Sequence, residues 1–160
     1  GLLAFTLHII AAFAIPPAAY GVDGWNLPLQ INGTAVPYPF TFLEGTLINL
    51  GGIYLVLIAM IGLTLFLSSK MKTPYFVLIV VIPVLFIPIF LSPNGTAGIY
   101  NLIVFLTPYQ SLTPNFAQYI TYQFGSVILD SFTMNAVVYA ILALILLPLA
   151  GIGFKKRQVG

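Results

Sequence analysis

The sequence predicts an all-α integral membrane fold, with about four transmembrane helices plus an external re-entrant or interfacial helical hairpin. Three observations lead there. Sixty per cent of the 160 residues are hydrophobic and only 5% are charged, with a mean hydropathy of +1.08. A water-soluble domain carries about 25% charged residues. Uncharged apolar runs recur that match a hydrocarbon core about 30 Å thick. Finally, all five basic residues fall in two tight clusters, Lys70 with Lys72 and Lys155 with Lys156 and Arg157, away from the acids Asp23, Glu44 and Asp130.

Taken in order, residues 2–20 form the first expected span, with Pro16-Pro17 near its far end. Ala12-Phe13-Ala14 resembles a signal-peptidase site, but no basic residue precedes it and the apolar character runs on to Tyr20, so a retained helix is favoured. Because the chain starts without Met inside an apolar run, it reads as a fragment or processed product. Residues 21–45 are an outer loop punctuated by Asp23-Gly24, Asn32-Gly33, Pro28, Pro37 and Pro39. Trp25, Tyr38, Phe40 and Phe42 there suit a headgroup-level aromatic belt. Residues 46–67 form a second span of about 33 Å at 1.5 Å per residue. Pro74 opens a third, 74–91, which Pro83 and Pro88 should bend. The last span is 132–154. All four belong to a single transmembrane domain, 1–160.

Orientation follows from charge, since basic residues stay on the cytoplasmic side of a membrane. Lys70, Lys72, Lys155, Lys156 and Arg157 are therefore topology anchors. With both clusters inside, the first span runs outward, the second inward, the third outward and the last inward. Residues 99–131 must then begin and end outside. The apolar run 99–106 is too short to cross as a helix, and Pro108 and Pro114 break the chain beyond it. Irregular backbone at membrane depth needs protein or a water-filled cavity beside it. A re-entrant or interfacial helical hairpin is the expected solution.

The same composition excludes several function classes. A net charge of +2 confined to loops gives no nucleic-acid footprint. Without cysteine there is no disulfide, thiolate metal site or cysteine nucleophile. The single histidine, His8, has no acid near it in sequence and reads as a packing or interfacial residue. Glu44 sits where the positive end of the second helix favours a carboxylate, and Asp130 reads as an N-terminal cap of the last helix. Gly51, Gly52, Ala59 and Gly62 thin one side of the second span, and Ala136 and Ala140 do so on the last. Small residues let helices approach closely in lipid, within a bundle or at a dimer seam. Candidate pathway or gate residues are Glu44, Thr46, Asn49, Tyr100 and Asn101. Thr64 is a further polar point. Asn32-Gly33-Thr34 and Asn94-Gly95-Thr96 match glycosylation sequons but read as turn sequences. No catalytic, cofactor or metal residues are assigned.

Several strings in this order carry a resemblance. Gly24-Trp25-Asn26-Leu27-Pro28-Leu29-Gln30 lies in the outer loop. Tyr38-Pro39-Phe40-Thr41-Phe42-Leu43-Glu44 opens a Gly-rich helix that finishes Leu67-Ser68-Ser69-Lys70, and Phe154-Lys155-Lys156-Arg157-Gln158-Val159 ends the last helix. The chain resembles the C-terminal half of the six-span permease subunits of ABC exporters of the second type, the bacterial multidrug- and antibiotic-resistance permeases. That resemblance implies external re-entrant helices between the last two spans and a cytoplasmic C-terminus in the plasma membrane. It also implies pairing with a second permease copy or homologue in the lipid bilayer, on two separate ATP-binding subunits. The sequence has no Gly-x-x-x-x-Gly-Lys-Ser/Thr loop, so ATP and Mg would be bound by the partner subunit. The family's N-terminal elbow helix and cytoplasmic coupling loop would precede Gly1. Function is thus expected to be transport, not catalysis. The competing readings are an intramembrane enzyme, for which one His and three scattered acids supply little, and a non-transporting scaffold or immunity protein.

Overall fold

A computed structural model of the chain describes residues 2–21, 24–31, 34–95, 98–113 and 115–158. Its elements are α1 (Leu2–Tyr20), β1 (Gln30–Ile31), β2 (Thr34–Ala35), α2 (Phe42–Lys70) and α3 (Pro74–Phe86), which runs into a 3-10 turn at Ile87–Phe90. Beyond these lie α4 (Ile99–Phe105), α5 (Pro108–Leu112), β3 (Thr121–Phe124), β4 (Val127–Asp130) and α6 (Ser131–Gln158). The chain is mostly helical. Two helices, α2 with 29 residues and α6 from Ser131 to Arg157, are long and apolar enough to cross a membrane. The apolar segment Pro74–Phe90 is shorter.

The core of the molecule is the pairing of α2 with α6. Val56 and Ala59 of α2 pack with Tyr139 and Ala143 of α6. One turn on, a Cβ at Gly62 would stand 3.3 Å from Leu146 Cβ, and beyond that Gly153 lies against Ser69 so closely that a Cβ would enter its side chain. At the ends of the helices, Arg157 donates to the carbonyls of Ser68 and Met71 at 2.8 and 2.7 Å. Because the partners advance together along both chains, the two helices run parallel. Glycine, alanine and serine at these positions bring the two backbones close, so the helices pack with little side-chain bulk between them.

Parallel neighbours need a return path, and residues 71–130 provide it. Thr73 precedes α3, with Pro74 in the first turn, where its missing N–H is not needed. Pro83 is kept inside α3, and the α geometry tightens to 3-10 at Pro88, which is buried. The chain then builds a cap over the start of α2 and α6. Here the all-α expectation is corrected: the second half of the segment 99–131 is a β-hairpin, with Thr121 opposite Asp130 and Phe124 opposite Val127. Gly125, with φ 62°, supplies the left-handed residue that the two-residue turn requires. Strands form because Thr-Tyr-Gln-Phe and Val-Ile-Leu-Asp favour a pleated ribbon, and the buried Phe105, Ile120 and Tyr122 anchor one of its ends. A second, minimal ribbon pairs Gln30 with Ala35 in the loop 21–45.

Charge is segregated along this axis. The exposed Lys70, Lys72, Lys155, Lys156 and Arg157 share one end of the α2–α6 pair. Glu44 and Asp130 sit at the other, each at a helix start. Asp23, Asn32, Gly33, Thr96, Pro114 and the side chain of His8 lie outside the described residues, and with them both sequons in part.

Gly153→Ala should destabilise the protein by about 1–3 kcal/mol, because its methyl group has to displace Ser69, whereas Gly151→Ala, which meets nothing within 4 Å, should stabilise it by about 0.5–1 kcal/mol, the cost of a glycine inside a helix. Denaturant titration followed by Trp25 fluorescence measures both. In the cap, burial pushes the Tyr122 phenol up to about 12, so the fold favours its neutral form. Its contribution is complete below the ordinary value of 10 and is lost as pH rises through about 12. Tyr122→Phe should therefore flatten the fall in unfolding free energy between those pH values.

Candidate functional site

Between the first halves of α2 and α6 lies a cleft of about 470 Å³. Asn49, Gly52 and Leu55 of α2 face Asn135 and Ala136 of α6 across it, and Ser111 of α5 closes one side. Phe40 and Phe132 stand at the end nearest the cap. The cleft exists because α2 carries no side chain at Gly51 and Gly52, where an added Cβ would meet nothing within 4 Å.

Most of its amide and hydroxyl side chains are paired. Ser111 donates to Asn135 Oδ1 at 3.0 Å, and Asn135 Nδ2 donates to the Phe105 carbonyl at 3.4 Å. The Thr133 hydroxyl donates to Asp130 Oδ2 at 2.7 Å. One turn beyond Asn135 on α6, Tyr139 donates to the Leu106 carbonyl at 2.8 Å. The last carbonyls of a helix have no partner within it, and the end of the seven-residue α4 obtains two such donors from α6. Residues four apart share a helix face, so Asn135 and Tyr139 together fasten α4 to the outer part of the core. Asn49 differs: its Oδ1 is buried without a hydrogen-bond partner among the described residues. An unpaired buried acceptor costs about 1–3 kcal/mol.

The lip of the cleft is aromatic. Tyr38 is buried and packs on Phe40, Tyr119 and Phe132 with centroids 5.0–5.4 Å apart, and Phe116 stacks on Phe132 at 4.7 Å. The Tyr38 hydroxyl donates to the Gln118 carbonyl at 3.1 Å. Burial raises this phenol above its ordinary value of 10, so it serves as a neutral donor. Loops on either side of the core are thus joined through one ring. Asp130 also borders the cleft, but its carboxylate caps α6: Oδ1 accepts from the Phe132 and Thr133 amides, and Oδ2 from the Thr133 hydroxyl.

The residues singled out from sequence separate into four places. Asn49 lines the cleft. Glu44 completes a capping box with Thr41 at the start of α2, receiving the Thr41 amide at 2.9 Å while the Thr41 hydroxyl accepts from the Glu44 amide. Its side chain borders a separate shallow depression with Pro39 and Phe40. Thr46 donates back to the Phe42 carbonyl at 2.7 Å. Tyr100 and Asn101 lie on α4, outside the lining of the cleft. Tyr100 donates to the Ser92 carbonyl, and the buried Asn101 accepts from the Asn94 amide at 2.8 Å. Lys70, Lys72 and the C-terminal cluster are at the opposite end of the core. Ser111 and Asn135 were not singled out. The available signal was a polar pair at 135 and 139 on one face of an otherwise apolar helix.

Among the described residues, His, Asp and Glu side chains form no group of three that could hold a metal ion. Comparison with protein-family models, curated proteins and solved structures finds no match.

Replacing Asn49 by Leu should raise the unfolding free energy by about 1–2 kcal/mol, since it removes a buried acceptor that has nothing to accept. Asn135→Leu should lower it, because it leaves the Ser111 hydroxyl and the Phe105 carbonyl without their partner. The two opposite shifts are read in the same unfolding assay.

Proposed function

We propose that the chain forms part of the membrane-spanning permease of an ATP-driven exporter, supplying one wall of the substrate pathway while separate ABC ATP-binding subunits bind ATP and Mg. In this reading it is a multi-pass protein of the bacterial plasma membrane. Its four spans are α1, α2, α3 with its 3-10 turn, and α6, and its C-terminus is cytoplasmic. It works as a dimer with a second permease copy or homologue.

The observation that carries the proposal is the parallel course of α2 and α6. It brings both basic clusters to one end of the core, which suits a cytoplasmic face, and leaves the short helices and β-hairpin of 99–130 at the other. A bundle with irregular backbone over one mouth and a cleft beneath it matches what a gated pathway requires. Basic side chains at the opposite end are placed to meet either anionic lipid or a partner subunit.

Two measurements test this. Lys72→Cys and Lys156→Cys should both be protected from a membrane-impermeant thiol reagent in intact cells, and both should react once the membrane is opened. Reaction of either one from outside overturns the orientation. The full-length protein should also co-purify with an ATP-binding subunit encoded beside it. If no ATPase is ever retained, the exporter reading fails even where the orientation holds.

A further inference from the structure

We infer that the α2–α6 cleft binds a neutral amphiphile, a molecule with an apolar body and a hydrogen-bond-donating head such as a hydroxyl or amide N–H, which it offers to Asn49. As the cargo class of an exporter this rests on the function proposed above. As a binding site it rests on the cleft alone.

Size and lining define the body of the ligand. A volume of about 470 Å³ falls within the range of about 300–1,000 Å³ typical of small-molecule sites. Leu47, Leu55 and Ala136 make the walls apolar, Phe132 offers a ring at the lip, and the bare backbone at Gly51 and Gly52 leaves room for a chain to lie along α2. The polar groups that remain open set the chemistry of the head. Ser111 and Asn135 are bonded to each other. Both oxygens of Asp130 are held by the first residues of α6, so the one carboxylate in the lining is already engaged in capping a helix start, which favours a negative group there. The described basic residues stand at the far end of the core, so an anionic head finds no counter-charge. There is left the buried Asn49 Oδ1, an acceptor without a donor among the described residues. Its amide turns about a broad, soft torsion, and rotation about that bond is the movement that brings the oxygen to a guest in the cleft. A neutral donor is the group this cleft lacks.

The test uses the full chain in lipid nanodiscs and two photoreactive probes, a diazirine-bearing octanol and its methyl ether, with labelled peptides mapped by mass spectrometry. The alcohol should label the Leu47–Leu55 stretch of α2 and the facing stretch of α6. It should do so about five- to tenfold more than the ether, the equilibrium equivalent of one recovered hydrogen bond. Asn49→Leu should abolish the preference for the alcohol while leaving labelling by the ether. Gly52→Leu, which fills open space inside a helix and so should not lower the unfolding midpoint, should block both. Equal labelling by the two probes, or labelling spread over every apolar helix and unmoved by Gly52→Leu, would overturn the assignment. So would an alkyltrimethylammonium salt of the same chain length displacing the alcohol better than unlabelled octanol does, since that marks a cation site. No ATPase takes part, so failure here leaves the co-purification result standing, and the reverse holds as well.

Discussion

Two helices that lie side by side and point the same way cannot be joined by a short turn. That constraint governs the rest of this structure. The close approach of α2 and α6 at Ala59, Gly62, Ser69 and Gly153 obliges residues 71–130 to travel the length of the pair and return to its start. The outward journey is made by the apolar α3 and its 3-10 turn. The remaining residues, arriving at the correct end with chain to spare, fold into the cap. Parallel alignment also sets like helix poles together, positive ends at the cap and negative ends at the C-termini. The charged side chains answer this arrangement, with Glu44 and Asp130 at the first end and the lysines and Arg157 at the second. Arg157 goes further and binds carbonyls at the end of α2 directly, so the charge that closes one helix belongs to the other.

The cap solves a second problem, that of backbone groups outside long helices. Every buried N–H and C=O has to find a partner, and α4 and α5 are too short to satisfy many of their own. Side chains of the core do much of this work. Asn135 and Tyr139 reach from α6 to the end of α4, and Tyr122 donates to the Leu102 carbonyl at 2.9 Å. The ribbon β3–β4 satisfies its own inward groups across the strand pair and joins α6 through the Ser131 amide, which donates to the Ile120 carbonyl. Tyr38 then locks the preceding loop to this assembly through a cluster of rings. Against so thorough an accounting, the oxygen of Asn49, unpaired among the described residues, stands out, and it lies beside the place where glycines open a gap between two tightly packed helices.

How much of this was legible varied with the range of the interactions involved. The helix starts at Pro74 and Ser131 were legible from local signals, a proline in the first turn and Asp130 as a cap, whereas α2 begins at Phe42, four residues before the expected span, because Thr41 and Glu44 form a capping box there. The segment 99–131 was harder. Its return to the starting side follows from charge parity, but the β-hairpin within it was not foreseen. Tyr119, Tyr122 and Gln123 read equally well as an amphipathic interfacial helix, and the decision came from packing Ile120 and Tyr122 against Phe105, far back in the chain. The cleft was less visible still. Gly51 and Gly52 looked like a helix-packing surface, as Gly62 indeed is; only the position of α5 and α6 makes them an opening.

Composition and charge spacing, acting over a few residues at a time, were enough by themselves to determine a mostly helical chain with long apolar helices and its bases kept apart from its acids, because hydrophobic run length and end charges are local properties. Tertiary structure alone decided which helices touch, that α2 and α6 do so in parallel, and where their separation leaves a cleft with an unpaired amide oxygen. Those outcomes depend on the shape of side chains brought together from distant parts of the chain, and a glycine carries no sign in its own neighbourhood of whether a partner or a void will stand opposite.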